Sequence, residues 1–198
     1  MGSGSACRSI EGDLIVWGEH KEIEGSSDLY GIKYPYRVHD VFRNFQDTIL
    51  LVDKGEKQVS STVGHELMNN HPFAESRFIQ ANQNITDIKR ILETGDLTSF
   101  IDLVESEALT LHSMMLTSTP RFILMKPNTL EIIDRIWKFR RASSLPICFT
   151  LDAGANVHVL YPVKYKVDIQ KFIESELSNL CKNGEFIHDH SGLGAKLL

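Results

Sequence analysis

The sequence lacks three features that mark particular classes of protein: an excess of basic residues, a long apolar run and a paired set of cysteines. Its 198 residues carry 21 lysines and arginines against 26 aspartates and glutamates, giving a formal net charge of -5. This balance argues against nucleic acid or an anionic membrane as a partner. No apolar run approaches the roughly 18 residues that cross a bilayer. Cys7, Cys148 and Cys181 are odd in number, with neither a C-x-x-C pair nor zinc-like spacing, which favours a reducing, cytoplasmic location.

The apolar residues that are present favour a mixed fold. They make up 42% of the chain, enough for the core of one domain or slightly more. Strands flank pairs of helices instead of alternating singly with them, which predicts an α+β fold. Short apolar runs predict strands at 13–18, 48–52, 147–151 and 157–161. Apolar spacing of three and four predicts two helices within 85–115, broken near Gly95, and further helices at 129–139 and 167–180. We expect the first fifty or so residues to form a sheet edge, 19–36 an exposed excursion and 186–198 a short ending.

The opening stretch GSGSACRS is the first candidate site. Small hydroxyl residues between glycines let a backbone wrap closely around an anion. The hydroxyls of Ser3 and Ser5 could point at one phosphate or carboxylate, to which Arg8 would add a charge-assisted contact. A frayed terminus or a cloning remnant explains the same letters. The following residues, SIEGDLIVWG, argue against a pure tag because they run straight into a plausible core strand.

Two further loops carry polar residues next to predicted strands. In LDAGAN, residues 151–156, Asp152 ends an apolar strand and small residues follow it. An aspartate in this position can meet a ligand or accept a proton, although the spacing alone favours a hairpin turn. The stretch QVSSTVG, residues 58–64, includes Ser61, whose hydroxyl could cap a helix or hold a ligand phosphate.

The histidines predict no metal site. His65 and His71 are six positions apart, whereas two zinc ligands on one helix face need a separation of four. His188 and His190 fall in what we expect to be a solvated tail. His112 lies on the apolar side of its helix pattern, where a hydrogen-bonded core histidine is the default expectation.

Three of these stretches occur together in an order that resembles one family. GSGSACRSIEGDLIVWG, then SSTVG at 60–64, then LDAGAN at 151–156 are similar to the diphosphomevalonate decarboxylase family of the GHMP kinase superfamily, as is SEALTLHSMML at 106–116. The resemblance covers the later two thirds of a complete family member. It implies that 1–55 are a remnant of the N-terminal substrate and ATP domain. Residues 56–198 would then be the GHMP kinase-like C-terminal α+β domain.

The resemblance also implies a reaction and a set of roles. The family decarboxylates (R)-5-diphosphomevalonate to isopentenyl diphosphate at the expense of ATP, with Mg²⁺, as a cytoplasmic homodimer. By resemblance, Asp152 is the catalytic carboxylate near the substrate 3-hydroxyl and Arg8 orients the substrate carboxylate. Ser3, Ser5 and Ser61 would hydrogen-bond substrate oxygens. The chain departs from the family pattern at Ala155, where D-A-G-P-N has proline, and at His65, where methionine is common.

The family's ATP-binding loop has no counterpart in this sequence, so the residues that would bind the cofactor are unknown. Phosphoryl transfer depends on elements that position the phosphates. A second hypothesis is therefore a truncated, non-catalytic remnant that folds or dimerises without productive ATP binding. A superfamily kinase acting on phosphomevalonate is a third, which the pairing of GSGSACRS with DAG disfavours.

Overall fold

The protein was analysed as a computed structural model, which describes residues 12–55, 67–192 and 194. Within them the strands are β1 (Ile15–Trp17), β2 (Gly31–Lys33), β3 (Gln46–Leu50), β4 (Cys148–Leu151), β5 (Val157–Tyr161) and β6 (Phe186–His190). The α-helices are α1 (Ala74–Thr94), α2 (Leu97–Thr117), α3 (Pro127–Ser143) and α4 (Lys166–Phe172). The predicted α+β class is confirmed. None of these helices combines the length and apolar character needed to cross a membrane.

Four strands form one antiparallel sheet in the order β4-β5-β3-β6. Residues on β3 and β5 alternate between buried and half-buried, as expected for a sheet with one face against a core. Helices α2, α3 and α4 and the π-helical turn that follows α4 pack against the sheet to complete this core. Its fully buried members include Leu50, Ile132, Ile136, Phe149, Val157, Val159, Tyr161 and Ile169.

The helix boundaries follow local signals in the sequence. Helix α1 ends at Gly95, whose φ of +79° is a left-handed conformation that glycine adopts without strain. The Asp96 carboxylate then accepts a hydrogen bond from the Ser99 amide and caps α2. Helix α3 begins at Pro127, whose missing N–H costs nothing in the first turn. These signals confirm the predicted break near Gly95.

Residues 12–50 do not form an edge of the main sheet, although the sequence had suggested a sheet edge for the first fifty or so residues. Within the described part of the chain, β1 pairs with β2 in a separate two-stranded sheet, whereas β3 lies inside the main sheet between β5 and β6. The stretch expected to be an exposed excursion contains β2 and buries His20 and Ile23. The error arose because pairing partners more than a hundred residues away are not visible in a local pattern.

The end of the described chain also differs from expectation. The helix predicted over 167–180 is α-helical only as far as Phe172, and the next turn, Ile173–Leu177, is a π-helix. The expected solvated tail is instead strand β6, which pairs with β3 along its whole length. In that strand His188 Nδ1 lies 2.8 Å from Thr48 Oγ1. The division of the chain near residue 55 stays a prediction.

Candidate active site

The turn formed by residues 152–156 connects β4 to β5, which are adjacent antiparallel strands. Residues 152–156 therefore form a hairpin turn, which is the interpretation that their spacing favoured. The side chain of Asp152 is exposed, while Ala155 three residues later is buried. A hairpin turn and a ligand-facing carboxylate are thus compatible at the same place.

The first residue of this turn is held through its carbonyl oxygen. The Gly154 amide donates to the Asp152 carbonyl at 2.7 Å, and His112 Nε2 on helix α2 lies 3.1 Å from the same oxygen. His112 is 2% exposed, and this burial lowers its pKa below the usual 6.5, against the opposing effect of the hydrogen bond to Asp152. The neutral imidazole is the favoured form. The expectation of a hydrogen-bonded core histidine is confirmed.

The other end of the turn is anchored by a buried threonine and an asparagine. Thr129 Oγ1, at the start of α3, donates to the Ala155 carbonyl at 2.7 Å and accepts from the Lys126 amide at 3.1 Å. The Asn156 side-chain oxygen accepts from the Asp53 amide at 2.9 Å. Because these bonds come from α3 and from the segment after β3, the turn is fixed to two separate parts of the fold.

A cleft of about 430 Å³ lies beside the turn. Its polar wall includes Asp53, Lys54 and Lys126. Lys126 Nζ is 3.9 Å from Asp53 Oδ2, and Lys54 pairs with Glu185. A Cβ built on Gly154 would meet no atom within 4 Å. The turn therefore presents open backbone to the cleft, which is the arrangement needed for close approach of a ligand.

The base of this region is apolar. Met114, Met115 and Leu124 form a small buried cluster, against which Ala153 of the turn packs together with Phe122. Ala153 is the residue of the turn that contacts this cluster. The contact between Ala153 and this apolar cluster fixes the middle of the turn, while the hydrogen bonds from His112 and Thr129 fix its two ends.

The structure describes only one of the site residues that the sequence predicted. Asp152 is in place on its turn, whereas Ser3, Ser5, Arg8 and Ser61 lie outside the described residues. Sequence reasoning missed Thr129 and Asp53 as anchors of the turn. The signal for Thr129 was the helix start after Pro127, although nothing in that signal names Ala155 as a partner.

No group of three or more His, Cys, Asp or Glu side chains within 12–55, 67–192 and 194 is arranged to hold a metal ion. The two lysines of the cleft already face carboxylates. The described residues form a fixed turn that begins with the exposed Asp152 and lines an open cleft with residues 153–156.

Comparison with known proteins adds a family assignment. The curated diphosphomevalonate decarboxylase of Debaryomyces hansenii is 28% identical over 167 residues, which are 81% of this chain and 41% of that protein. The human diphosphomevalonate decarboxylase is 24% identical over 158 residues, 78% of this chain and 39% of that protein. The chain thus spans about two fifths of the length of these curated relatives.

Solved structures agree with this assignment. MDDEF in complex with MVAPP, AMPPCP and magnesium superposes with a TM-score of 0.79 at 25% identity, covering 97% of this chain and 56% of that one. The mevalonate diphosphate decarboxylase of Staphylococcus aureus gives the same TM-score at 24% identity, with the same coverage, and supports the fold alone. The family model for the mevalonate 5-diphosphate decarboxylase C-terminal domain matches residues 48–195. Since that match includes most of the chain, the chain belongs to the mevalonate 5-diphosphate decarboxylase family.

Proposed function

We propose that this protein takes part in the ATP-dependent decarboxylation of (R)-5-diphosphomevalonate to isopentenyl diphosphate in the mevalonate pathway. The observation that carries the proposal is the fixed turn of residues 152–156, which lies inside the matched family domain, begins with the exposed Asp152 and lines an open cleft with residues 153–156. A carboxylate acts as a general base only when its geometry relative to the substrate proton is fixed. The buried anchors at both ends of the turn supply that condition.

In this proposal Asp152 accepts the proton of the substrate 3-hydroxyl. Arg8 holds and orients the substrate carboxylate, a task for which a planar guanidinium is suited. Ser3, Ser5 and Ser61 donate hydrogen bonds to substrate carboxylate or diphosphate oxygens. These five assignments rest on the sequence resemblance.

ATP and Mg²⁺ belong to the proposal through the family, since a related protein was solved with AMPPCP and magnesium. When bound, the nucleotide supplies the phosphoryl group that turns the tertiary hydroxyl into a leaving group. The roles given above concern only the substrate and its proton.

We further propose a cytoplasmic homodimer. The cytoplasmic location is supported by two free cysteines, Cys148 and Cys181, that are buried in the core without a disulfide. Burial raises the pKa of both thiols above the ordinary value, so neither is a reactive nucleophile at neutral pH. Homodimerisation is carried by the family resemblance and is tested by light scattering after size exclusion, where a monomer at all concentrations would contradict it.

The second candidate is a non-catalytic protein that keeps the fold without productive ATP binding. The chain spans about two fifths of the curated relatives it matches, and phosphoryl transfer needs several positioned groups around the phosphates. The two candidates differ in turnover and share the fold.

The test is to incubate the purified protein with ATP, Mg²⁺ and diphosphomevalonate and to measure carbon dioxide release. In the active protein, Asp152→Asn is expected to lower kcat by about three orders of magnitude or more while substrate binding by calorimetry is retained, because the proton acceptor is lost and the binding groups remain. Asp189→Asn, which alters an exposed carboxylate on β6, is the matched control and is expected to keep the rate. A near-normal rate for Asp152→Asn would remove this residue from the chemistry. Absence of turnover in the unaltered protein favours the non-catalytic candidate.

A further inference from the structure

A single buried histidine connects helix α2 to the residue that carries the exposed carboxylate. His112 is 2% exposed, and its Nε2 lies 3.1 Å from the carbonyl oxygen of Asp152, 40 positions later in the chain. A carbonyl oxygen can only accept, so the ring donates through Nε2–H. The same oxygen also accepts from the Gly154 amide at 2.7 Å. Both lone pairs of the Asp152 carbonyl are therefore in use.

The histidine is attached to a rigid part of the fold. Glu105 lies about two turns before His112 on α2. It pairs with Arg140 of α3, with Nη1–Oε1 and Nη2–Oε2 distances of 2.6 and 3.0 Å. Arg140 also donates to the carbonyl of Ile147 at 2.7 Å, directly before β4. Trp137 Nε1 completes the group by donating to Glu105 at 2.8 Å. Helix α2 is thus held against α3 and β4, and His112 transmits this fixed position to the end of β4.

We propose that His112 is a positioning residue that fixes the peptide of Asp152 and thereby the direction of the Asp152 carboxylate. The catalytic consequence of this inference rests on the proposed function, whereas the fixation of the turn does not. The Asp152 side chain is attached to Cα, and Cα is bonded directly to the carbonyl carbon whose oxygen accepts the hydrogen bond from His112. Rotation of that peptide would therefore swing the carboxylate, and a displacement of about 1 Å at a reacting group costs on the order of a hundredfold in rate.

His112 differs from the other anchors in where it acts. Thr129 and Asn156 hold the far end of the turn, at and after Ala155. Among the described residues, the one hydrogen bond made within the turn itself runs from the Gly154 amide to the Asp152 carbonyl. Loss of the His112 donor is therefore expected to loosen Asp152, Ala153 and Gly154 while Ala155 stays in place.

Three substitutions separate hydrogen bonding from packing. His112→Leu keeps the apolar volume and removes the donor, whereas His112→Gln keeps an N–H donor near the position of Nε2. His112→Asn carries a donor on a side chain one methylene shorter, which places it too far from the carbonyl. His20 is the matched control, since it is also buried and its Nε2 lies 3.0 Å from the carbonyl of Asn82 on α1, away from the turn.

The first measurement is the ¹⁵N order parameter of the backbone amides in the full chain. For the Ala153 and Gly154 amides we expect values near 0.85 in the unaltered protein and a fall to about 0.6 or below in His112→Leu. We expect His112→Asn to behave in the same way and His112→Gln to restore the original values. His20→Leu is expected to leave both amides unchanged.

The second measurement is the kinetics of carbon dioxide release. His112→Leu is expected to lower kcat by about 10- to 100-fold with KM within about twofold, and His112→Gln to recover most of the rate. A purely structural role would lower the amount of folded protein in both His112→Leu and His20→Leu without this split between kcat and KM.

Unchanged order parameters at Ala153 and Gly154 in folded His112→Leu or His112→Asn would overturn the inference. So would a fall of the same size in His20→Leu or in His112→Gln. If the unaltered protein releases no carbon dioxide, the proposed function fails, and the order parameters still decide whether His112 fixes the turn. Should His112→Leu fail to fold, the comparison of His112→Asn with His112→Gln gives the same decision.

Discussion

The two hairpins of this protein are stabilised in different ways. The turn between β4 and β5 receives hydrogen bonds from His112 on α2, from Thr129 on α3 and from the Asp53 amide after β3. The longer connection between β1 and β2 combines hydrogen bonds of its own, in which Ser26 Oγ accepts from the His20 amide and Asp28 accepts from the Glu19 amide, both at 2.8 Å, with bonds to one helix, α1: His20 Nε2 lies 3.0 Å from the Asn82 carbonyl, and Lys89 Nζ donates to the Glu22 carbonyl at 3.3 Å. A loop anchored to several separate elements holds a functional group in one place more firmly than a loop anchored to one.

The same contrast holds for the ion pairs of the two regions. Glu105 and Arg140, beneath β4, have side chains that are 9% and 24% exposed, while Asp13 and Lys33, beside β1 and β2, are 58% and 61% exposed and 4.0 Å apart. Water screens the exposed pair of Asp13 and Lys33. The pair of Glu105 and Arg140 is mostly buried, and its charges are satisfied by hydrogen bonds inside the protein. We therefore expect the β4–β5 region to respond strongly to single substitutions and the β1–β2 region to respond weakly.

The largest effect is expected from Glu105→Leu. Removing the carboxylate leaves Arg140 with its charge largely buried and unpaired, which should lower the free energy of unfolding by about 3–5 kcal/mol. Urea unfolding followed by circular dichroism measures this change. Asp13→Asn is the control from the exposed pair, with an expected cost of less than about 1 kcal/mol. Equal costs for the two variants would contradict the contrast between the regions.

A smaller effect is expected from Thr129→Val. The substitution is close to isosteric, but it leaves the buried Ala155 carbonyl without its donor and the Lys126 amide without its acceptor. We expect a loss of about 1–3 kcal/mol. Ser26→Ala is the counterpart in the β1–β2 connection, where water can replace the hydroxyl. A larger loss for Ser26→Ala than for Thr129→Val would show that the outer loop is the more tightly fixed of the two.

The region around the β4–β5 turn should also lose stability in acid. Burial lowers the folded-state pKa of His112 below the 6.5 of the unfolded chain. As the pH falls below about 6.5, the unfolded state therefore binds protons first, and stability is lost until the folded-state pKa is passed. Burial lowers the pKa of His188 too, with the same sign. Urea unfolding between pH 7.5 and 5 should show a reduced slope of stability against pH in His112→Gln, by at most about 1.4 kcal/mol per pH unit. An unchanged slope would mean that His112 does not titrate differently on folding.

The smallest effect is expected from Ala155→Pro, which restores the residue that the family motif has at this position. The Ala155 amide donates no hydrogen bond to any residue within the described ranges, and its carbonyl remains available to Thr129. Proline restricts the unfolded chain, so we expect a gain of about 0.4–1 kcal/mol in the free energy of unfolding. Gly154→Ala serves as the control for an added side chain, since its Cβ would meet no atom within 4 Å. A loss of stability in Ala155→Pro would show that the turn has a φ that proline cannot adopt.

Local patterns predicted the regular elements of the main domain well. The period of the apolar residues with Gly95 and Pro127 located three helices, and alternation located Val157–Tyr161. Strand β6 was missed because FIHDH is polar and mostly exposed, so no apolar alternation marks it. Strand β2 was missed for a related reason: it has three residues and begins with glycine. Both become strands only because a partner strand is there to pair with them.

The sequence by itself determined the family and the α+β class and predicted a role for Asp152, because these depend on motifs and on periodicity along the chain. Only the tertiary structure decided what holds Asp152 in place. The anchors of its turn come from Asp53, His112 and Thr129, which are separated from it by 23 to 99 positions in the chain. A hydrogen bond is a contact in space between a donor and an acceptor at about 3 Å, and folding alone determines which distant residues meet at that distance.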